Sequence, residues 1–114
     1  MPRDSGLYLD DILESVNLIK EYTSELDLEG FSSDRKTQDA VVRNLEIIGE
    51  ATKNLPDKLK EKYPEIEWNK ISGMRNILAH EYFGVSVPVI WDIVQTKLES
   101  LETACRRALQ DHPG

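Results

Sequence analysis

The chain has 114 residues, of which 39% are hydrophobic and 31% are charged, and its formal net charge is −7. This length suits one domain with a modest hydrophobic core, and the composition is that of a folded globular protein, not a disordered one. The single cysteine, Cys105, excludes an intrachain disulfide and a metal cluster built on cysteines. The acidic balance disfavours binding of nucleic acid through a broad basic face, so any phosphate site must be local.

The first residues, MPRDSGLYLDDILES, place acidic groups where a secretory signal peptide needs an apolar core. No apolar run approaches the length that spans a bilayer. A lone cysteine is typical of a reducing compartment. We therefore expect a soluble protein of the cytoplasm that does not associate with membranes.

In the first half of the chain, apolar residues recur at helical spacing and predict two long helices. The first covers about residues 5–28 and the second about residues 35–55. Between them, the stretch EGFSSD interrupts the pattern at Gly30, and Ser33 or Asp34 can cap the second helix. The second helix also carries apolar or small residues outside its main stripe, which indicates more apolar surface than one small bundle covers.

The second half predicts three further helices. Pro56 suits the first position of a short third helix, PDKLKEKY, and Pro64 cannot continue it. The fourth helix runs from about Glu67 to Tyr82, and Gly84 can form a left-handed cap after it. The fifth helix runs from about Val87 to Leu109. No stretch of the sequence shows a competing strand pattern.

These segments predict an all-α protein, an antiparallel bundle of about five helices. We expect a single domain over residues 1–110 and a frayed tail over residues 111–114. The surplus apolar surface of the second helix predicts a homodimer. Trp68 and Trp91 are expected to be anchors of the core or of an interface.

The stretch GMRNILAHEYFG, residues 73–84, brings Arg75, Asn76, His80 and Tyr82 into a largely apolar segment. Because each helical residue advances about 100°, Asn76 and His80 share one face, and Arg75 and Tyr82 share a neighbouring face. One straight helix therefore does not aim Arg75 and His80 at the same point. Two copies facing each other across a twofold axis would bring both sets into one cleft.

The residue types in this segment suit phosphate chemistry. Histidine exchanges a proton near neutral pH, arginine binds phosphate through two parallel hydrogen bonds, and asparagine can orient an imidazole or bind a phosphate oxygen. The sequence shows no set of ligands at metal spacing, so neither a metal nor a cofactor is expected. In RNA cleavage, His80 would activate the substrate's own 2′-hydroxyl or protonate the leaving oxygen. Arg75 would neutralise the charge that builds on phosphorus.

The residues alone leave three interpretations of this segment open. It can be a catalytic site, a docking or modification site for a partner, or the ordinary polar edge of a bundle. In the last case Arg75 would only form an ion pair, with Glu46, Glu50 or Asp92 as candidate partners. His80 would then do no more than interact with the helix dipole.

The motif RNILAHEY, residues 75–82, resembles the signature of the HEPN superfamily, and the Tyr two positions after the His resembles its HepT-type toxin branch. The similarity covers nearly the whole chain. It extends to RNLEIIGEATKNLP at 43–56, YPEIEWNKISGMRN at 63–76 and VSVPVIWDIV at 85–94.

This resemblance implies a helical bundle that dimerises and places the motif in the cleft between protomers. It implies a metal-independent endoribonuclease that acts as the toxin of a type VII-like toxin–antitoxin pair, with RNA and not DNA as substrate. Arg75 and His80 would be catalytic and Asn76 would support them. The antitoxin would be a nucleotidyltransferase of the MntA type, which silences the toxin by attaching AMP to Tyr82. The alternative is a non-catalytic docking subunit for that nucleotidyltransferase.

Overall fold

The computed structural model describes residues 4–81 and 86–111, and at residues 77 and 79–81 it describes the backbone but not the side chains. Within these residues every regular element is an α-helix, so the predicted all-α class is confirmed. In the part of the chain that the structure describes, every helix is too short or too polar to span a bilayer. The helices are α1 (Ser5–Thr23), α2 (Leu28–Ser32), α3 (Arg35–Lys53), α4 (Asp57–Glu61), α5 (Trp68–Glu81), α6 (Val87–Thr96) and α7 (Leu98–Asp111).

Helix α3 lies at the centre of the fold and makes its most extensive contacts with α1 and α5. Its apolar residues Val41, Leu45 and Ile48 are completely buried, as the helical spacing predicts. The main core is therefore built from three helices, of which α3 is the middle one, and α5 is the helix that carries the polar motif.

Helix α7 packs against α1 and runs antiparallel to it. At one end, a Cβ placed on Gly6 would lie 3.9 Å from Cδ2 of Leu109. At the other end, Nζ of Lys20 lies 3.1 Å from Oε1 of Glu102. The beginning of α1 thus meets the end of α7, as an antiparallel bundle requires.

The predicted break between the first two helices contains a short helix of its own. Helix α1 ends at Thr23, and α2 then forms a single turn whose cap is Asp27, with Oδ1 accepting a hydrogen bond from Gly30 N at 2.8 Å. Phe31 is completely buried and holds this turn against the core. Of the two predicted caps for α3, Asp34 is confirmed, because its Oδ1 accepts the Thr37 backbone N–H at 3.0 Å.

The predicted fifth helix is wrong as a single element, because the chain breaks at Lys97 into α6 and α7. Just before the break, the Thr96 hydroxyl donates to the carbonyl of Asp92 at 2.8 Å, a contact that often bends helices. The break lets the two pieces pack on different partners. Trp91 of α6 contacts Phe31 with ring centroids 5.1 Å apart, whereas α7 covers α1.

The other predicted helix ends differ from the observed ends by one to five residues or lie outside the described residues, and the largest difference is at α1, which ends at Thr23 and not near residue 28. Pro56 is the N-cap of α4 and not its first residue, and α5 begins at Trp68 instead of Glu67. Helix α7 extends to Asp111, whose Oδ2 accepts a hydrogen bond from Tyr63 Oη at 3.1 Å. The predicted cap at Gly84 and residues 112–114 of the predicted tail are outside the described residues.

Negative charge is concentrated at the start of the chain. Between Asp4 and Gly30, the sequence contains eight carboxylates and one cation, Lys20, which together carry the same net charge of −7 as the entire chain. The acidic groups outside this segment are balanced by an equal number of cations. Helix α1 holds four of these carboxylates, and its N-cap Asp4 and the stretch 25–29 hold the other four, so the N-terminal segment as a whole is the acidic part of the chain.

Candidate active site

The structure anchors the motif helix α5 at its first residue. Trp68 is buried, and its indole N–H lies 3.0 Å from the carbonyl oxygens of both Lys60 and Tyr63. These contacts tie the start of α5 to the chain that leads into it. The anchor fixes the starting point of the helix, and thereby the direction in which its later residues point.

In the middle of α5 the backbone lies directly against α3. Gly49 of α3 faces Arg75, and a Cβ added to Gly49 would lie 3.0 Å from both the Cβ and the backbone N of Arg75. The same Cβ would lie 3.1 Å from the carbonyl oxygen of Ile71. The absence of a side chain at position 49 therefore sets how closely the two helices approach at the turn that carries Arg75.

The guanidinium of Arg75 has a partner on each helix. Its Nε lies 3.2 Å from Oε2 of Glu50 on α3, and its Nη1 donates to Oδ1 of Asn76 at 3.2 Å. The side chain of Arg75 remains 45% exposed, so the guanidinium can still reach a ligand from solvent. The neighbouring Asn76 is also exposed.

The contact between the side chains of Arg75 and Asn76 is not predicted by the helical spacing. From the spacing alone, Arg75 and Asn76 leave the helix in directions about 100° apart. In the structure the long Arg75 side chain turns back, so that its guanidinium contacts the Asn76 amide. The two groups form one polar unit, the arginine–asparagine pair.

Two of the four predicted site residues are less fully described. Residue His80 lies in α5, one turn after Asn76, but its side chain is outside the described part of the structure. Tyr82 lies outside the described residues altogether. The arrangement of His80 and Tyr82 relative to the arginine–asparagine pair therefore stays a prediction.

The interpretation of the motif as a polar edge predicted an ion pair between Arg75 and Glu46, Glu50 or Asp92. The pair with Glu50 is present. Both side chains are about half exposed, and an ion pair of this kind contributes only about 0.2–1 kcal/mol to stability. The pair is therefore too weak to account for Arg75 as a structural residue by itself.

A cleft of about 430 Å³ opens beside the arginine–asparagine pair. It lies between α1, α3 and α5 and combines two arginines and three carboxylates with apolar surface from Tyr8, Ile47 and Ala51. Because carboxylates and arginines are mixed in the cleft, an anion can bind there only in contact with an arginine. The residues that line it are Tyr8, Asp11, Arg43, Glu46, Ile47, Glu50, Ala51 and Arg75.

The sequence indicates Glu46 and Glu50 as candidate partners of Arg75, but it did not reveal that α3 and α1 form a cleft beside the motif helix. The signal that could have revealed α3 is Gly49, a glycine inside the otherwise regular helical stretch NLEIIGEAT. A glycine within a helix costs about 1 kcal/mol relative to alanine, so it often marks a close approach of another backbone. Applied to position 49, this rule would have placed Glu50 beside the partner helix.

Comparison with known proteins identifies the family. Residues 12–108 match the family model described as "Ribonuclease HepT-like". The chain is 49% identical to "Probable ribonuclease HepT" of Thermococcus cleftensis over 90% of this chain and 93% of that protein. It is 44% identical to "Putative RNase MJ0127" of Methanocaldococcus jannaschii over 100% of this chain and 95% of the relative.

A bacterial relative shows the same extent of similarity. "Putative RNase TTE0752" of Caldanaerobacter subterraneus is 41% identical over 90% of this chain and 92% of its own length. No solved structure matches the chain. The matched residues include α3, α5 and the whole RNILAHEY motif. The chain therefore belongs to the ribonuclease HepT-like family.

Proposed function

We propose that this protein is a metal-independent endoribonuclease, the toxin of a type VII-like toxin–antitoxin pair, with an active site completed by a second copy of the chain. The observation that carries the proposal is the half-exposed guanidinium of Arg75, held against Asn76 on the motif helix. It belongs to a chain whose family is named for ribonuclease activity.

The catalytic roles follow from the chemistry of the motif. Arg75 neutralises the charge that develops on the phosphoryl oxygens when the 2′-hydroxyl of the RNA attacks phosphorus. His80 removes the proton from that hydroxyl or delivers one to the leaving 5′-oxygen. Asn76 supports both, since its amide oxygen accepts from Arg75 and leaves its NH₂ group facing solvent, where a phosphate oxygen can accept from it.

The shape of the cleft supports a homodimeric site. Tyr8 and Ile47 line the cleft and are only partly buried, so apolar surface lies beside the exposed Arg75. A second copy packed over this surface would bury it and would add its own motif to the same space. Because Arg75 and His80 leave the helix in different directions, two facing helices provide more complete contacts to one phosphate than a single helix does.

Silencing by a nucleotidyltransferase of the MntA type fits the same chemistry. AMP attached to Tyr82 would add a bulky negative phosphate to the motif that contains Arg75. That phosphate would pair with the guanidinium and repel an incoming RNA backbone. Removal of the negative charge would restore access to Arg75.

The acidic balance of the chain favours a second candidate. A net charge of −7 suits a docking subunit that binds a basic surface of a nucleotidyltransferase and performs no catalysis. In that case the motif would be only a substrate segment for the transferase. The two candidates differ in whether the protein harms a cell that lacks the transferase.

The deciding experiment expresses the protein without a partner and scores growth and RNA cleavage. We expect the wild type to inhibit growth and cleave RNA, and we expect His80→Ala to lose both while its helical content by circular dichroism stays the same. His112→Ala is the matched control, because it removes the only other histidine of the chain. Wild-type protein that binds a transferase but neither cleaves RNA nor slows growth would favour the docking subunit.

The dimer is tested on the same samples by light scattering after size exclusion. One chain has a mass of 13.0 kDa, so a dimer has twice that mass. His80→Ala should remain dimeric, since its expected defect is chemical. A wild-type protein that cleaves RNA as a monomer would contradict the shared site while leaving the ribonuclease activity intact.

A further inference from the structure

Glu50 lies on α3 and forms an ion pair with Arg75 on α5. Among the residues that the structure describes, it is the only carboxylate paired with Arg75. Its neighbour Gly49 allows α3 to approach the Arg75 backbone closely, so that the Glu50 carboxylate can reach the Arg75 guanidinium. The pairing therefore lies next to a close contact between the backbones of α3 and α5. Neither the family match nor the motif assigns any role to Glu50.

We propose that Glu50 is a positioning residue for Arg75, and that the RNA phosphate takes the place of its carboxylate when substrate binds. This inference rests on the proposed ribonuclease function. Glu50 holds Nε on one side and Asn76 accepts from Nη1 on the other, so the guanidinium plane is held by two contacts before RNA arrives. Preorganised donors lose less entropy when they meet the transition state.

The half-exposed state of the pair makes this exchange feasible. The side chains of Arg75 and Glu50 are 45% and 50% exposed, so water screens their attraction and the carboxylate can be displaced. A doubly charged transition-state phosphoryl group attracts the guanidinium more strongly than one carboxylate does. Glu50 therefore weakens ground-state binding of RNA, while it keeps Arg75 oriented for the step that follows.

Glu50→Gln tests this proposal because glutamine has nearly the same size but no charge. We expect KM for an RNA substrate to fall by about threefold, since no carboxylate competes for Arg75, and kcat to fall by about three- to tenfold, since Arg75 is held less firmly. A residue with a purely structural role would not lower KM and kcat together. Thermal unfolding of each variant is measured alongside.

Glu46→Gln is the matched control. Glu46 lies one turn earlier on α3 and lines the same cleft, but it pairs with Arg43, with Oε2 and Nη1 3.6 Å apart. Its substitution removes an equal charge from the same cleft, so any effect of charge alone appears in both variants. We expect kcat to fall further in Glu50→Gln than in Glu46→Gln, because Glu50 is the carboxylate that pairs with Arg75. Equal kcat values in the two variants, with an active wild type, would overturn the positioning role and leave the ribonuclease function standing.

The chemical reactivity of Arg75 tests its ion pair with Glu50 without relying on catalysis. Phenylglyoxal modifies arginines, and a carboxylate paired with the guanidinium slows the reaction. Peptide mapping by mass spectrometry should show faster modification of Arg75 in Glu50→Gln than in the wild type or in Glu46→Gln. Unchanged Arg75 reactivity would overturn the proposal. A wild type that cleaves no RNA would instead overturn the proposed function, and the positioning role would fall with it.

Discussion

Gly49 and Arg75 are in backbone contact across α3 and α5, with only 3.0 Å between the place of a Gly49 Cβ and the backbone N of Arg75. Real Cβ contacts this short require the neighbour to move, and here the neighbour is main chain instead of the end of a flexible side chain. The helix that carries the motif therefore packs on α3 at Arg75, the residue proposed to neutralise the charge of the transition state.

Gly49→Ala should destabilise the protein by about 1–2 kcal/mol, because overpacking against α5 outweighs the gain of about 1 kcal/mol in helix propensity. The control is Gly73→Ala, two residues before Arg75, where an added Cβ meets nothing within 4 Å. That variant should gain about 0.5–1 kcal/mol. Urea unfolding followed by circular dichroism measures both values. Equal shifts in the same direction would show that the contact is not as tight as described.

Arg75→Lys should reduce RNA cleavage by about tenfold to a hundredfold although the charge is retained. Lysine lacks the planar fork that binds two phosphoryl oxygens at once, and it has no separate nitrogens in the places of Nε and Nη1, which contact Glu50 and Asn76. Arg43→Lys changes the other arginine of the cleft, which is 72% exposed on its side chain, and should lower activity much less. Initial rates on one RNA substrate compare the two, and similar losses would argue for a general need for positive charge.

Trp68→Phe should lower the free energy of unfolding by about 1–3 kcal/mol, since it removes the N–H that bonds the carbonyls of Lys60 and Tyr63 and shrinks a buried ring. Trp91→Phe should cost less, because phenylalanine retains the aromatic contact with Phe31. Urea midpoints of the two variants give the comparison. A larger loss for Trp91→Phe would contradict Trp68 as the anchor of α5.

Cys105 should react with a thiol reagent such as DTNB only when the protein opens. The side chain is completely buried, and burial raises the pKa of its thiol from 9.0 to about 12.

The raised pKa of Cys105 also makes the free energy of unfolding depend on pH. Because the folded state favours the protonated thiol, this contribution to stability is present below pH 9 and is lost as the pH rises towards 12. Unfolding experiments at pH 8 and pH 10 should show a smaller pH-dependent loss for Cys105→Ala than for the wild type. Equal losses would contradict the shift.

Helical class, the long helices and the cap at Asp34 were accessible from sequence, because each depends on local spacing or on one side chain next to its own backbone. The turn of α2 was not, since Leu28–Ser32 is too short to show a period and forms around the buried Phe31. The break at Lys97 was missed for a related reason. The apolar stripe continues from Trp91 to Cys105, and only the different partners of α6 and α7 separate its two parts.

The candidate site divides in the same way. Arg75 and Asn76 could be selected from residue type, but their contact could not, because the helical spacing points them apart. Glu50 was one of three candidate partners for Arg75, and choosing among them requires the packing of α3 on α5. Long-range contacts of this kind leave no periodic trace in the sequence apart from the glycine that permits them.

The concentration of carboxylates between Asp4 and Gly30 has a consequence for how fast RNA reaches the cleft. The molecule measures 41 × 28 × 25 Å, and in dilute buffer of about 0.01 M ionic strength a charge is felt over about 30 Å. Under those conditions this N-terminal segment repels a polyanion before Arg75 can attract it, whereas at about 0.15 M the repulsion fades within about 8 Å. Turnover should consequently rise with added salt before it declines, the reverse of the steady decline of a nuclease with a basic surface.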